Sequence, residues 1–296
     1  MFKKAVISDE ISQDIDRAVE IAATFKLEGI EIRSVFGKDI HELNEAERNK
    51  IFTTIRAENM VIPCLATPIF KCQIDDDEQY KENIDILKKS IKIAQEWNVN
   101  MIRGFTFWKK ENFEEALPKI IEKMSTVIPL LKENNVLMVI ESDPHTNTNS
   151  TQKLKMLLDQ LNSKWIRALW DPANNIYVED AERPYPESYE TIKEYIAHIH
   201  VKDAIRNSEG SADSCCIETG EVNWTKIIKR LIADNYNGFL SLETHYRLNK
   251  TIPQHLLDRP KGYAFSCFGE EASIECLKSW NRIMNNIELS ESFLRR

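Results

Sequence analysis

A regular alternation of short apolar runs with longer amphipathic segments along the chain constrains the fold most. Eight short runs read as buried strands, at 5–8, 29–33, 60–66, 100–105, 136–141, 165–171, 198–202 and 238–243. Eight longer segments carry apolar residues at helical spacing, at 13–26, 45–58, 77–97, 113–134, 151–161, 186–197, 224–234 and 273–287. Strands that alternate with helices in this way form parallel βαβ units.

Eight such units in 296 residues predict an α/β fold, a (β/α)₈ barrel, built as one domain over residues 1–296. The alternative is a doubly wound open sheet. It is disfavoured because the first strand lacks a glycine-rich turn after it, and the chain has only 8 glycines. Pro129 is predicted to kink or break the helical segment 113–134. Long loops are expected at about 172–186, 203–222 and 244–272.

The composition excludes several classes of protein. The formal charge is −8, from 39 basic and 47 acidic residues, which argues against a partner such as nucleic acid. No apolar run approaches the roughly 20 residues that span a bilayer, so no membrane partner is expected. The 6 cysteines are scattered without a CxxC pair, and no signal peptide precedes the first strand. These features predict a cytoplasmic protein with reduced thiols.

The predicted strands end in polar residues. In barrels of this kind the catalytic groups lie at the carboxyl ends of the strands. The residues at or near these ends are Asp9, Glu10, Arg33, Thr67, Arg103, Glu141, Asp171, His200 and Glu243. A few isolated loop salt bridges would explain some of them. Convergence from eight strands favours one active site.

The seventh strand carries two histidines. Successive side chains of a strand point to opposite faces, so Ile199 and Val201 share one face while His198 and His200 share the other. Imidazole is a common metal ligand and acid–base group. Hydrogen-bonded core histidines are the alternative interpretation for both.

Four of the strand-end residues come from neighbouring strands, five to eight. They are Glu141, Asp171, His200 and Glu243. Three carboxylates so close together would repel one another unless a cation lay among them. One nitrogen and three oxygens suit a divalent metal ion, and the set does not discriminate among Mn²⁺, Mg²⁺, Co²⁺ and Zn²⁺.

These motifs together resemble the xylose-isomerase-like barrel superfamily, in its sugar isomerase/epimerase branch. That branch includes ketose 3-epimerases, inosose dehydratases and hydroxypyruvate isomerases. The resemblance covers nearly the whole chain. Four motifs at strand ends carry it: Glu141 in strand five, Asp-x-x-Asn at Asp171 to Asn174 in strand six, His-x-His at His198 and His200 in strand seven, and the final Glu243. The segment Gly220 to Trp224 also resembles the family's segment before its last helix.

The resemblance implies roles for individual residues. Glu141, Asp171, His200 and Glu243 would be the metal ligands, and Glu141 and Glu243 would also be the acid–base pair. Arg206 occupies the place of a substrate-binding arginine in related epimerases.

Other substrate contacts are expected around this set. Asn174 stands where those epimerases have a histidine, and Asp143 replaces a histidine that is frequent in relatives. Lys202 and Arg103 are candidates to hold a substrate hydroxyl, carboxylate or phosphate, with a rim salt bridge as the alternative for each. His198, on the same face as His200, is the remaining candidate for substrate binding.

The implied activity is that of a divalent-metal-dependent sugar or sugar-phosphate isomerase or epimerase, working by proton transfer through a metal-stabilised enediolate. Its partner is a small sugar or polyol. The alternatives are an inosose-type dehydratase on the same scaffold and a non-catalytic sugar-binding barrel. An apurinic endonuclease is disfavoured by the −8 charge and the presence of only 6 histidines. Barrels with many surface helices often form homodimers, and no stretch of this sequence decides that point.

Overall fold

The protein, as a computed structural model describes it over residues 2–248 and 263–294, is built around eight parallel strands. The strands are β1 (Lys3–Ile7), β2 (Gly29–Glu31), β3 (Leu65–Ile69), β4 (Met101–Gly104), β5 (Leu137–Glu141), β6 (Ile166–Trp170), β7 (Ile196–Val201) and β8 (Phe239–Leu242). Their order in the sheet is β2-β1-β8-β7-β6-β5-β4-β3. Isolated parallel bridges, Gly29 with Val61 and Ile32 with Leu65, bring the two edges together. The predicted (β/α)₈ barrel is therefore confirmed.

Helices cover the outside of the barrel. The α-helical segments are Ile15–Thr24, Glu45–Ala57, Asp77–Glu96, Phe113–Ser125, Ile128–Glu133, Thr151–Leu161, Tyr189–Ile192, Trp224–Ala233, Tyr263–Ser266 and Gly269–Leu294. Several begin at an Asp, Asn or Ser side chain that accepts a first-turn backbone N–H, as at Asp14, Asn44 and Ser150. Their apolar faces pack on the strands. Among the described residues, none of these helices is long and apolar enough to span a membrane.

Prolines explain two features of the chain's course. The predicted break at Pro129 is confirmed, since one helix ends at Ser125 and the next begins at Ile128. The predicted position of the third strand, 60–66, is wrong, because β3 spans Leu65–Ile69 and contains Pro68. Proline donates no backbone hydrogen bond, and the pairing of β3 with β4 shifts register between Leu65 and Ile69 to accommodate it.

The connections differ from the predicted ones in detail. The predicted helix 186–197 is wrong in length, since regular α-helix covers Tyr189–Ile192 and irregular turns flank it. The loop at 203–222 contains a hairpin of Asp203–Arg206 paired with Ala212–Cys215. The predicted loop at 244–272 falls partly outside the described residues.

Asp203 organises the loop that follows β7. Its carboxylate accepts backbone N–H bonds from Ala204, Glu218, Gly220 and Val222 at 3.0–3.2 Å. The Trp224 indole then donates to the carbonyl of Lys202 at 2.9 Å. The segment 220–224 thereby fixes the backbone directly after β7.

Gly220→Ala should destabilise this loop. A methyl group on Gly220 would lie 2.1 Å from an Asp203 carboxylate oxygen and 2.5 Å from the Ala204 carbonyl oxygen. We expect a loss of about 1–3 kcal/mol in the free energy of unfolding, measured by urea denaturation. Gly210→Asn in the same segment is the control, because Gly210 has open space around it and a φ of +82° that asparagine tolerates. Equal effects of the two substitutions would contradict this account.

Candidate active site

Glu31 joins the two histidines of β7. The Glu31 carboxylate lies 2.8 Å from Nε2 of His198 and 3.3 Å from Nε2 of His200, and all three side chains are fully buried. Each histidine therefore donates its Nε2–H to Glu31. Because Glu31 accepts a hydrogen bond from Nε2 of His200, Nδ1 is the ring nitrogen left to coordinate a metal ion.

This Nδ1 atom of His200 faces an acidic cluster. It has no hydrogen-bond partner among the described residues, although it is buried. The carboxylates of Glu141 and Glu243 lie 3.7 Å from it on either side. One donor atom from each of Glu141, Asp171, His200 and Glu243 falls within 4.8 Å of the others. The structure thus brings together the four residues predicted to bind a metal ion.

Three cations hold the carboxylates of this cluster in place. Arg103 donates to Glu141 at 3.0 Å, and Arg33 donates to Glu243 at 2.9 Å. The Lys202 ammonium lies 2.6 Å from Asp171 and 2.9 Å from Glu243. Each glutamate is therefore oriented by a different arginine.

The buried charges around the cluster do not balance. The buried carboxylates that pair with a buried cation or histidine are Asp9, Glu10, Glu31, Glu141, Asp171 and Glu243. The buried cations paired with them are Arg33, Arg103, Lys202 and Arg247. Among the described residues, and with His200 neutral as a metal ligand must be, six negative and four positive charges leave a net charge of −2. Because buried charge is costly when uncompensated, a divalent cation fits this site in charge as well as in donor atoms.

The pKa shifts of the candidate metal ligands also reflect an excess of negative charge in the cluster. Burial raises the pKa of Asp171 to about 6, and the nearby Glu243 and Glu141 add to the effect. Burial also raises the pKa of Glu141, but the Arg103 guanidinium outweighs it and the pKa falls to about 2. Burial lowers the pKa of His200, but Glu31 and Glu243 outweigh it and raise the pKa well above its usual range, so a metal ion would displace a proton from Nδ1. An excess of negative charge therefore surrounds the unpaired Nδ1 atom of His200.

Glu141 and Glu243 of the cluster line a cavity at this end of the barrel, whereas Asp171 and His200 are fully buried and do not line it. Five of the predicted site residues line the cavity: Arg103, Glu141, Asn174, Lys202 and Glu243. Asn174 joins two of the others, since its side chain donates to Glu141 at 3.1 Å and accepts from Lys202 at 2.9 Å. Arg103 and Lys202 both form salt bridges and also line the cavity, so the two interpretations of these residues hold together.

Two residues predicted to bind substrate lie elsewhere. His198 is fully buried against Glu31 and Ser241, one step deeper along β7 than His200. Arg206 lies on the outer hairpin, where its half-exposed side chain pairs with Glu221 at 2.9 Å. The structure does not bring either of them to the described cavity wall.

Sequence reasoning missed Glu31 and His245. Glu31 alternates with Arg33 in the second strand, and this spacing places both on the inner face of the barrel. His245 follows Glu243 by two residues and lines the cavity, with Nε2 3.3 Å from Glu10. The period-two pattern that pointed to His198 and His200 would have found both.

The chain belongs to the xylose isomerase-like TIM barrel family, whose model matches residues 19–264. No curated protein matches the chain. A solved D-allulose 3-epimerase from Methylomonas sp. in complex with D-allulose is 12% identical, with a TM-score of 0.72 over 95% of this chain and 96% of that one.

Two further solved structures share the fold. The probable 3-DHS dehydratase AsbF from Bacillus anthracis is 16% identical, with a TM-score of 0.68 over 89% of this chain and 97% of that one. A xylose isomerase-like TIM barrel protein from Mycobacterium smegmatis, in complex with magnesium, is 14% identical, with a TM-score of 0.62 over 87% and 88%. At these identities the likeness establishes the fold.

Proposed function

We propose that this protein is a divalent-metal-dependent isomerase or epimerase that moves a carbon-bound proton of a sugar. The unpaired Nδ1 atom of His200, buried among three carboxylates of which Glu141 and Glu243 line a cavity, is the observation that carries the proposal. The epimerases among the similar structures support the same reaction class.

Glu141, Asp171, His200 and Glu243 would hold the ion. When bound, it supplies Lewis acidity toward the carbonyl and hydroxyl oxygens of the substrate. Glu31 supports this set from behind, because its hydrogen bond to Nε2 keeps Nδ1 of His200 free to coordinate.

Glu141 and Glu243 would transfer the proton. Glu141 ends β5, Glu243 directly follows β8, and both line the cavity. Arg103 holds Glu141 and Arg33 holds Glu243, so the two carboxylates stay apart and charged. A single glutamate that removes and returns the proton at an adjacent carbon would isomerise the substrate. If one glutamate removes the proton and the other delivers it to the opposite face, the substrate is epimerised.

Asn174, Lys202 and Arg103 would orient the substrate's oxygens. All three line the cavity beside the proton-transfer pair. The Lys202 ammonium and the Asn174 amide lie 2.9 Å apart, so one hydroxyl can contact both.

A dehydratase is the second candidate function, and Lys202 is the observation that favours it. Its ammonium lies beside Glu243 in the cavity, where it can protonate a departing β-hydroxyl group. Proton magnetic resonance of the products separates the two functions. Incubation with a panel of ketoses and an inosose, with Mn²⁺, Co²⁺ or Mg²⁺, should give an epimer or isomer without loss of water. A water-loss product would favour the dehydratase, and no product from any sugar would overturn both.

Removing a ligand should abolish tight metal binding. His200→Ala and Asp171→Ala each delete one of four donors, and we expect metal affinity to fall by at least about 10-fold, measured by calorimetry with Mn²⁺. His41→Ala, in the surface turn Ile40–Glu42, is the control. Binding by both site variants at wild-type affinity would place the ion elsewhere.

A further inference from the structure

We propose that Lys71 and Asp143 form a charge-paired wall of the cavity that selects uncharged substrates over phosphorylated or carboxylated ones. This inference rests on the proposed function and names its substrate class. The Lys71 ammonium lies 2.9 Å from the Asp143 carboxylate. Both side chains line the cavity and are largely buried, at 10% and 13% exposure.

The pair is held in a fixed position. Asp143 uses its second oxygen to accept the backbone N–H of His145 at 2.9 Å. The Lys71 ammonium lies over the Phe105 ring, 4.3 Å from its centroid, which adds a cation–π attraction. Because both partners have further contacts, the pair behaves as a rigid element of the wall.

The wall lies beside the proton-transfer machinery. Asp143 follows Glu141 by two residues at the end of β5. The Phe105 ring contacts both the wall and the cluster, since its centroid lies 4.3 Å from the Lys71 ammonium and 4.9 Å from the Arg103 guanidinium, which binds Glu141. Lys71 and Asp143 are therefore placed to contact a part of the substrate beyond its reacting carbons.

Among the described residues, each lysine and arginine that lines the cavity has a carboxylate partner. Lys71 pairs with Asp143, Arg103 with Glu141, Lys202 with Asp171 and Glu243, and Arg33 with Asp9, Glu10 and Glu243. A phosphate or carboxylate on the substrate would have to displace Asp143 to reach Lys71, and it would meet like-charge repulsion. A sugar hydroxyl can donate to Asp143 and accept from Lys71 without breaking the pair.

Asp143→Asn tests the wall directly. Asparagine keeps the oxygen that accepts from His145 but removes the charge that neutralises Lys71. We expect the affinity for D-gluconate, relative to uncharged D-glucitol, to rise by about 10-fold or more in calorimetry. Asp75→Asn is the matched control, because it removes one charge from a surface carboxylate that pairs with Lys110 and Lys119. It should leave the ratio unchanged.

Lys71→Gln is the complementary variant. It leaves Asp143 unpaired, so the gluconate-to-glucitol ratio should fall below the wild-type value. Circular dichroism and thermal melting would verify that each variant is folded. The wall is overturned if Asp143→Asn and Asp75→Asn change the ratio equally, or if the two wall variants change it in the same direction.

Deuterium uptake separates failure of this inference from failure of the proposed function. Wild-type protein with Mn²⁺ in D₂O should label D-fructose and related free ketoses in preference to D-fructose 6-phosphate. Preferential labelling of the phosphate would overturn the charge selection while leaving the proton transfer intact. Labelling of no ketose would overturn the proposed function, and the binding ratios would then decide whether the wall exists.

Discussion

Glu141→Gln and Glu243→Gln should each lower kcat by at least about 10²-fold, the effect typical of a lost acid–base group. Glutamine keeps one oxygen but lacks a carboxylate that can take up a proton. The two oxygens of Glu243 accept hydrogen bonds from Arg33 and Lys202. In Glu243→Gln one of these donors would therefore face the amide NH₂ group, which cannot accept its hydrogen bond. Steady-state rates and metal content should be measured on the same samples. We expect kcat to fall further than metal occupancy in both variants.

Glu221→Gln is the matched control for this pair. Glu221 is exposed on the outer loop and pairs with Arg206. The same change of charge there should leave kcat within about twofold of the wild-type value, since surface substitutions have small effects. Near-wild-type turnover in both site variants would show that the base lies elsewhere.

Glu31→Gln should lower metal affinity by about 10- to 100-fold, the usual effect of losing a residue that orients a metal ligand. Glu31 now accepts a hydrogen bond from each histidine, whereas glutamine offers one acceptor and one donor. If the amide NH₂ faces His200, the proton of His200 must move to Nδ1, the atom that faces the carboxylates. That tautomer has no lone pair on Nδ1 with which to bind a metal ion.

Ser241→Ala is the control for Glu31→Gln. The Ser241 hydroxyl contacts Nε2 of His198 at 3.2 Å and lies in the same buried layer. Calorimetric titration with Mn²⁺ should show nearly unchanged affinity in this variant. A Glu31→Gln protein that binds Mn²⁺ as tightly as the wild type would contradict the assigned orientation of His200.

The barrel and the grouping of the candidate metal-site residues could be predicted because they follow from local patterns. Alternating strands and helices imply parallel pairing, and parallel pairing puts Glu141, Asp171, His200 and Glu243 at one end of the barrel. Alternation along β7 also predicted that His198 and His200 share a face. Each of these inferences needs a few neighbouring residues and one rule of strand geometry.

The roles of individual side chains depended on contacts that local pattern does not encode. The His198 side chain forms a hydrogen bond with Glu31, which lies 167 positions away in the chain. Arg206 turned outward because the segment after β7 forms a hairpin with Ala212–Cys215, and Glu221 then captures the guanidinium. Lys71 pairs with Asp143, which is 72 positions away in the chain, and the two residues lie in loops that follow different strands.

Solvent deuterium exchange at the substrate carbon is the most direct test of metal-dependent proton transfer. Wild-type protein with Mn²⁺ in D₂O should incorporate deuterium into a ketose, and a chelator should stop the incorporation. Glu141→Gln or Glu243→Gln should lose it even with the metal present. Exchange that continues after chelation, or that survives in both variants, would contradict the account.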